Sequence, residues 1–350
     1  MHLALITAGG AGMFCGSCMH DNTWARALMA RGTEVSLIPT YTPIRVDEHN
    51  ETNQPVLMGG INLYLNYRYK WWRNLPRALT RWTDSPWFIR TVTRFAVSNN
   101  AHDLGALTVA MLEGAEGPEH QPITELVDFI ARLDPDAVCF SNALLAGAVP
   151  HLQRQFSGGV FCTLQGDDIF LEDLIPPYKE QALSLLRRLA PRFDGFFVHS
   201  AYYRDFMSDY LRVPADRFHL LPLGIDLEGH DGTPQIVQRP FTVGYFARIC
   251  PEKGLHHLIE AFRRLCNTHP DSRLRVGGYL GKRDIAYFRD LERGAADLSG
   301  AWEYVGSPDR AGKVEFLKSL DVLSVPTDYR EPKGIYVLEA LANGVPVVQP

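Results

Sequence analysis

The chain has 350 residues, too many for one ordinary hydrophobic core and enough for two domains of common size. Apolar residues make up 46%, the usual share for a globular protein, and a net charge of −5 argues against a polyanion binder. No run approaches the roughly 18 apolar residues of a membrane-spanning helix, and six cysteines in this length fit a reduced cytoplasm better than a disulfide scaffold. In chain order, Met-His-Leu-Ala-Leu-Ile-Thr has no basic leader and reads as a first strand, residues 2–7, rather than a signal peptide. It ends at Ala8-Gly9-Gly10-Ala11-Gly12. A helical pattern through Trp24, Leu28 and Met29 follows, is stopped by Arg31-Gly32, and leads to a second strand at Glu34–Pro39. Strand, glycine loop, helix and strand make a βαβ unit whose loop lies at the strand's carboxyl end.

Such units recur. Strand-like runs at Ala137–Phe140, Val160–Leu164 and Gly195–His199 alternate with helical periodicity at Ile123–Leu133 and Lys179–Leu189. Residues 227–240 lose the rhythm, with two glycines and two prolines, and read as a linker. The rhythm then restarts. Strands are expected at Phe241–Phe246, Arg273–Val276, Trp302–Val305 and Val322–Val325. Helices are expected at Leu255–Leu265, Asp284–Leu298 and Gly334–Ala342, the last leading into a strand-like Val345–Val348. The expected fold is α/β, with two Rossmann-like doubly wound domains facing across a cleft. Their spans are 1–226, carrying a basic and aromatic helical insertion at about 61–120, and 241–350 after the linker. The second ends in an apolar run with nothing to close it, so its C-terminal part is expected to be missing.

Three groups of residues carry chemistry. Glu331 precedes, and Glu339 lies on, the helix opened by Lys333-Gly334-Ile335, where free backbone N–H groups favour anions and hydroxyls. By spacing alone, two such carboxylates are more often solvated charge or a complement to the helix dipole. Arg248 and Lys253 stand past the carboxyl end of the second domain's first strand, where open parallel sheets bind ligands, and two cations there suit a diphosphate. A lysine at a helix start opposes the dipole, which favours an anion partner over a plain surface position. Cys15-Gly-Ser-Cys18 has thioredoxin-like spacing at a helix start, but the favoured reading is small residues shaping the glycine loop, with redox activity as the lesser alternative. Residues 64–95 mix seven Lys and Arg and four Trp with a single acid, Asp84. They suit a helical flap, an acceptor groove or a peripheral contact with an anionic membrane face, and least of all a nucleic acid.

Gly244-Tyr-Phe-Ala-Arg…Glu-Lys-Gly-Leu…Leu-Ile-Glu-Ala-Phe and Glu331-Pro-Lys-Gly-Ile-Tyr-Val-Leu-Glu339 resemble the donor domain of retaining glycosyltransferases of the GT-B fold, family 4. Asp321–Thr327 and Leu221-Pro-Leu-Gly-Ile-Asp226 match flanking segments. The resemblance implies transfer of a hexose-type sugar from a nucleotide diphosphate sugar to a saccharide, lipid-linked or small-molecule acceptor, with retention of configuration. It implies that Arg248 and Lys253 neutralise the departing diphosphate. Glu331, with the backbone of Lys333, Gly334 and Ile335, would hold the transferred sugar, and Glu339 the ribose. Gly278 would lie near the base and Gly16 at the phosphate loop. Many family members carry a histidine near the sugar; here Thr163-Leu-Gln-Gly-Asp-Asp168 places Gln165 there, with Asp167 and Asp168 as further sugar or acceptor candidates or helix caps. Glutamine can hydrogen-bond a hydroxyl but is neither acid nor base at neutral pH. No Asp-x-Asp stands where a metal would carry the phosphates, so neither metal nor cofactor is expected. The expected location is the cytoplasm, with a peripheral membrane contact through 64–95 as an alternative. The competing functional readings are a catalytically weak nucleotide-sugar-binding protein and a nucleotide-sugar epimerase.

Overall fold

The computed structural model describes residues 1–9, 15–52, 56–57, 101–118, 120–232 and 239–350. The basic, tryptophan-rich stretch 64–95 and the loop glycines Gly10 and Gly12 lie outside these residues. The chain forms two compact units, Met1–Leu223 and Gly224–Pro350. Among the described residues, no helix is long and apolar enough to cross a membrane.

The first unit is built on β1 (His2–Thr7), β2 (Glu34–Pro39), β3 (Ala137–Phe140), β4 (Gly159–Thr163), β5 (Gly195–Val198) and β6 (Phe218–Leu220). They pair in the order β2-β1-β3-β4-β5-β6, every pair parallel. A parallel sheet is covered on both faces, which is why Leu3, Ala4, Leu5 and Ile6 are all buried although they alternate sides. Its helices include α1 (Gly16–Met29), α2 (Ala101–Glu113), α3 (His120–Leu133), α4 (Asp167–Glu172), α5 (Tyr178–Leu189) and α6 (Ala201–Leu211). Phe193 stands at the centre of the core on one face, its ring 6.0 Å from Phe140 and 5.3 Å from Phe196. β1 has β2 on one side and β3 on the other. The connections therefore run to opposite sides of β1, opening a crevice at the carboxyl ends of β1 and β3.

The second unit repeats the device. Strands β7 (Thr242–Phe246), β8 (Arg273–Gly277), β9 (Trp302–Tyr304) and β10 (Val322–Leu323) pair in parallel in the order β10-β7-β8-β9. Here β7 is the strand flanked on one side by β8, the next strand in the chain, and on the other by β10, the last. Leu258, Ile259 and Phe262 of α7 (Leu255–Cys266) bury one face of that helix in the core. The expected helix over 284–298 is shorter: α8 spans Ile285–Gly294, and a separate turn takes up Ala296–Leu298. Gly294 makes that break inexpensive. The expected strand at 345–348 is reduced to one bridge, Leu323 to Val347. Pro346 lacks the N–H that would extend this ladder toward Asp321, and Pro326 lacks the one that would lengthen β10 along β7. The remaining helices are α9 (Arg310–Lys318) and α10 (Ile335–Ala342).

Truncating Phe193 to alanine removes the ring that joins Phe140 and Phe196. A stability loss of about 3–5 kcal/mol is expected, read as a lower midpoint in denaturant unfolding followed by circular dichroism.

Candidate functional site

In the second unit the strand order brings two loops together. The loop after β7 carries Arg248 and Lys253, and the loop after β10 carries Glu331. The Asp328 backbone N–H donates to the Glu252 carbonyl at 3.1 Å and ties the two loops. Gly254 holds a left-handed φ of 68°, and a Cβ there would sit 1.7 Å from the Pro326 carbonyl oxygen, so this close approach requires glycine. Across the joined loops Lys253 Nζ donates to Glu331 Oε2 in a tight ion pair. Both side chains are mostly buried, at 15% and 18% exposure. The ammonium also stands 5.0 Å from the Tyr329 ring centroid and 5.5 Å from that of Tyr336, as cation–π contacts. Burial by itself pushes the Glu331 carboxyl up, but the Lys253 ammonium, helped by Lys333, brings it below the ordinary value. Glu331 Oε1 accepts from the Lys333 backbone N–H at 3.4 Å.

Gly334, left-handed at φ 66°, caps α10 without a side-chain hydrogen bond, so no capping side chain takes up the first backbone N–H groups of the helix. Arg248 stands at the end of β7, its Nε 3.2 Å from Cys250 Sγ, and the buried Tyr245 hydroxyl donates to the Arg248 carbonyl at 3.1 Å. The result is two cations, one carboxylate and a helix N-terminus around one sheet edge, a set suited to an anionic group carrying hydroxyls. Gly278 follows β8 at φ 131°, where a Cβ would meet the Ala247 carbonyl oxygen at 1.8 Å.

Glu339 lies deeper on α10, 6% exposed, and accepts from Lys313 Nζ of α9 at 2.5 Å. Sequence reasoning missed Lys313, because a lysine in an amphipathic helix reads as solvent-facing, yet it is 3% exposed. It also missed Tyr329 and Tyr336, which nothing but proximity marks as partners of Lys253.

In the first unit, Gln165 follows β4 and reaches the crevice beside β1. Its Nε2 donates to Asp21 Oδ1 of α1 at 2.9 Å and to the Ser141 carbonyl after β3 at 3.3 Å. Asp167 is held by backbone donors, Ala143 N at 2.6 Å and Gln165 N at 3.0 Å. Burial raises its carboxyl to about 6 despite those hydrogen bonds. Asp168 accepts from the Tyr203 hydroxyl at 2.5 Å. Asp167 and Asp168 open the short helix α4, whose cap is Gly166, and Asp167 ties the turn after β4 to the segment after β3. Gly16 is the first residue of α1. Asp21 carried no signal in sequence, being one acid in a polar stretch of helix.

The Cys15–Cys18 pair also starts α1, and no disulfide forms among the described residues. Contact with Cys15, then burial, pushes the Cys18 thiol well above its ordinary value, opposite to the activated thiol of a redox helix start. His256, His257 and Asp328 bring ligand atoms within 4.8 Å of one another beside the β7 loop. The 2.7 Å between His257 Nε2 and Asp328 Oδ1 is a hydrogen bond, tighter than the roughly 3.3 Å between two ligands 2.0–2.1 Å from one zinc ion.

Two parallel α/β units, each with its polar side chains at the switch point of the strand order, define the class of ligand-binding doubly wound proteins. Two family profiles match in tandem: Glycosyltransferase Family 4 over residues 113–228, and Glycosyl transferases group 1 over residues 230–349. The chain belongs to the family-4 glycosyltransferases of the GT-B fold. It is similar to the phosphatidyl-myo-inositol mannosyltransferase of Mycobacterium tuberculosis, 29% identical over 134 residues, covering 37% of this chain and 33% of that protein. It is also similar to the glycogen synthase of the same organism, 35% identical over 109 residues, covering 31% of this chain and 25% of that protein. The matched stretch thus spans a third or less of the length of these relatives. The crystal structure of Anabaena Alr3699/HepE in complex with UDP and glucose shares the fold, with TM-score 0.60 and 17% identity over 99% of this chain and 80% of that one.

Two outcomes follow from the electrostatics. Lys253→Met leaves the Glu331 carboxylate buried without its ammonium, and a loss of about 3 kcal/mol is expected in thermal or denaturant unfolding at pH 7. The loss should shrink as pH falls, because a depressed carboxyl contributes stability that is present above its unfolded value of 4.5 and disappears as pH drops through its folded value. Asp167 has the opposite sign. Its raised carboxyl favours the folded state when protonated, so its contribution declines as pH rises from 3.8 toward about 6. The carbon-13 shift of its carboxyl should titrate with a midpoint near 6.

Proposed function

We propose that the chain transfers a hexose-type sugar from a nucleotide diphosphate sugar to a hydroxyl-bearing acceptor, with retention of configuration. The observation that carries this reading is the Lys253–Glu331 pair at the adjoining ends of β7 and β10, beside Arg248 and the open N-terminus of α10. When the bond from the sugar to the diphosphate breaks, negative charge grows on the diphosphate. Arg248 and Lys253 are the groups that take it up, bidentately in the case of arginine. These fixed cations supply the countercharge that a divalent metal would otherwise bring, so the reading assigns no metal or organic cofactor. Glu331 and the backbone N–H groups of Lys333, Gly334 and Ile335 hold sugar hydroxyls, Glu339 the ribose, and Gly278 leaves room for the base. Gly16, Gln165, Asp167 and Asp168 serve the phosphates, the sugar or the acceptor from the first unit. The relatives support the reaction class: one is named a phosphatidyl-myo-inositol mannosyltransferase, another a glycogen synthase. Their acceptors differ, so the class of acceptor, saccharide or lipid-linked, stays open in this reading. A cytoplasmic location belongs to the same reading, with peripheral membrane contact through residues 64–95 as its alternative.

A second reading, a nucleotide-sugar-binding protein of low activity, is favoured by one observation. Gln165 has no titratable proton to exchange with a substrate at neutral pH. An assay of donor hydrolysis and transfer separates the two. The wild-type chain should turn over, and Glu331→Ala or Arg248→Ala should each lower kcat/KM by about 10²–10³. Donor binding without hydrolysis or transfer by the wild type would leave the binding-protein reading. Epimerised donor formed without acceptor would point to an epimerase.

A further inference from the structure

The geometry points to Asp21 as a positioning residue that locks the side-chain amide of Gln165, so that Gln165 Oε1 is presented to a sugar hydroxyl as an acceptor. This inference rests on the glycosyltransferase reading and deepens it.

Asp21 is fully buried, on the second turn of α1, and Gln165 is 6% exposed. The two are 144 residues apart in sequence and meet because β1, β3 and β4 are consecutive neighbours in the sheet. An amide can be placed in either of two flipped orientations, and the partners decide between them. Here both neighbours on one side are acceptors, the Asp21 carboxylate at 2.9 Å and the Ser141 carbonyl at 3.3 Å. The NH2 group must face them, since the flipped amide would set Oε1 against two oxygens. Oε1 is therefore directed away from Asp21. It is buried and has no hydrogen-bond donor among the described residues, and the same holds for Asp21 Oδ2. Buried acceptors of this kind are costly unless a ligand or neighbour donates to them.

An acceptor without a donor selects a ligand that donates, as a sugar hydroxyl does and an ionised phosphate or carboxylate does not. The Asp21 carboxylate itself has a further polar neighbour in His20, whose Nδ1 lies 3.4 Å from Oδ1. The backbone N–H groups that fix Asp167 also fix the turn from which Gln165 projects, so the amide is braced from both ends. The hydroxyl can come from the transferred sugar or from the acceptor, and kinetics distinguish them.

The test uses the 350-residue chain. The side-chain amide signal of Gln165 is assigned by its loss in Gln165→Ala. In the wild type the two amide protons should be resolved and slow to exchange. Asp21→Ala should abolish that protection, and Asp21→Asn, which keeps an acceptor for Nε2, should retain it. In steady-state kinetics with a UDP-, GDP- or ADP-hexose, Asp21→Ala and Gln165→Ala should each lower kcat/KM by about tenfold or more. The double variant should fall no further than the worse single one, as expected for residues acting as a unit. A raised donor KM would assign the hydroxyl to the donor sugar, and a raised acceptor KM to the acceptor. Losses that multiply in the double variant, or a protected Gln165 amide in Asp21→Ala, would overturn the inference. Should Asp21→Ala not fold, Asp21→Asn decides: loss of protection in it contradicts the lock, and retained protection with kcat/KM nearer wild type than Gln165→Ala supports it. A wild-type chain inactive with every nucleotide sugar would contradict the reaction, while the amide signal still decides the Asp21–Gln165 contact.

Discussion

The ion pair between Lys253 and Glu331 organises the second unit's site. Each partner is largely withdrawn from water, and a buried charge is tolerated only when its counterion is held close. That requirement draws the loops after β7 and β10 against each other. It explains why Gly254 must approach Pro326 without a side chain and why the Tyr329 and Tyr336 rings close around the ammonium. The strand order comes first in this chain of causes. With β10 and β8 on opposite sides of β7, the loops leaving β7 and β10 share one edge, and the cations of one loop meet the carboxylate of the other.

The first unit uses the same topology for a different chemistry. Its crevice holds acceptors where the second unit's site holds cations. Asp21, Gln165 and Asp167 are buried among backbone donors and one another. The second unit's site thus suits an anion carrying hydroxyls, and the first unit's crevice suits a ligand that donates a hydroxyl. In the proposed reaction the second unit's cations neutralise charge, while its carboxylate and backbone N–H groups orient the sugar.

Much of this was legible in the chain itself. Strand and helix periodicity places β1 to β5, α1, α3, α5 and α7 to within a few residues, because buried parallel strands are apolar throughout and amphipathic helices repeat every three to four residues. Arg248, Lys253, Glu331 and Gly334 stand out because glycine and charge interrupt apolar runs at strand ends. What stayed hidden depended on tertiary placement. Lys313 looks like a solvated helix lysine, and only the packing of α9 on α10 reveals its pairing with Glu339. Asp21 looks like a polar helix residue until β1, β3 and β4 bring Gln165 to it. The cysteine pair carried a redox spacing, but contact and burial raise the Cys18 thiol instead of lowering it. The short β10 and single-bridge C-terminal segment reflect prolines whose effect on a ladder depends on register.

The most direct test of the central claim is a crystal structure of the chain with a bound nucleotide diphosphate sugar. The account predicts the diphosphate within hydrogen-bonding distance of Arg248 and Lys253, with sugar hydroxyls on Glu331 and on the backbone N–H groups of Lys333 to Ile335. A nucleotide bound elsewhere, with the Lys253–Glu331 pair untouched by it, would contradict the account.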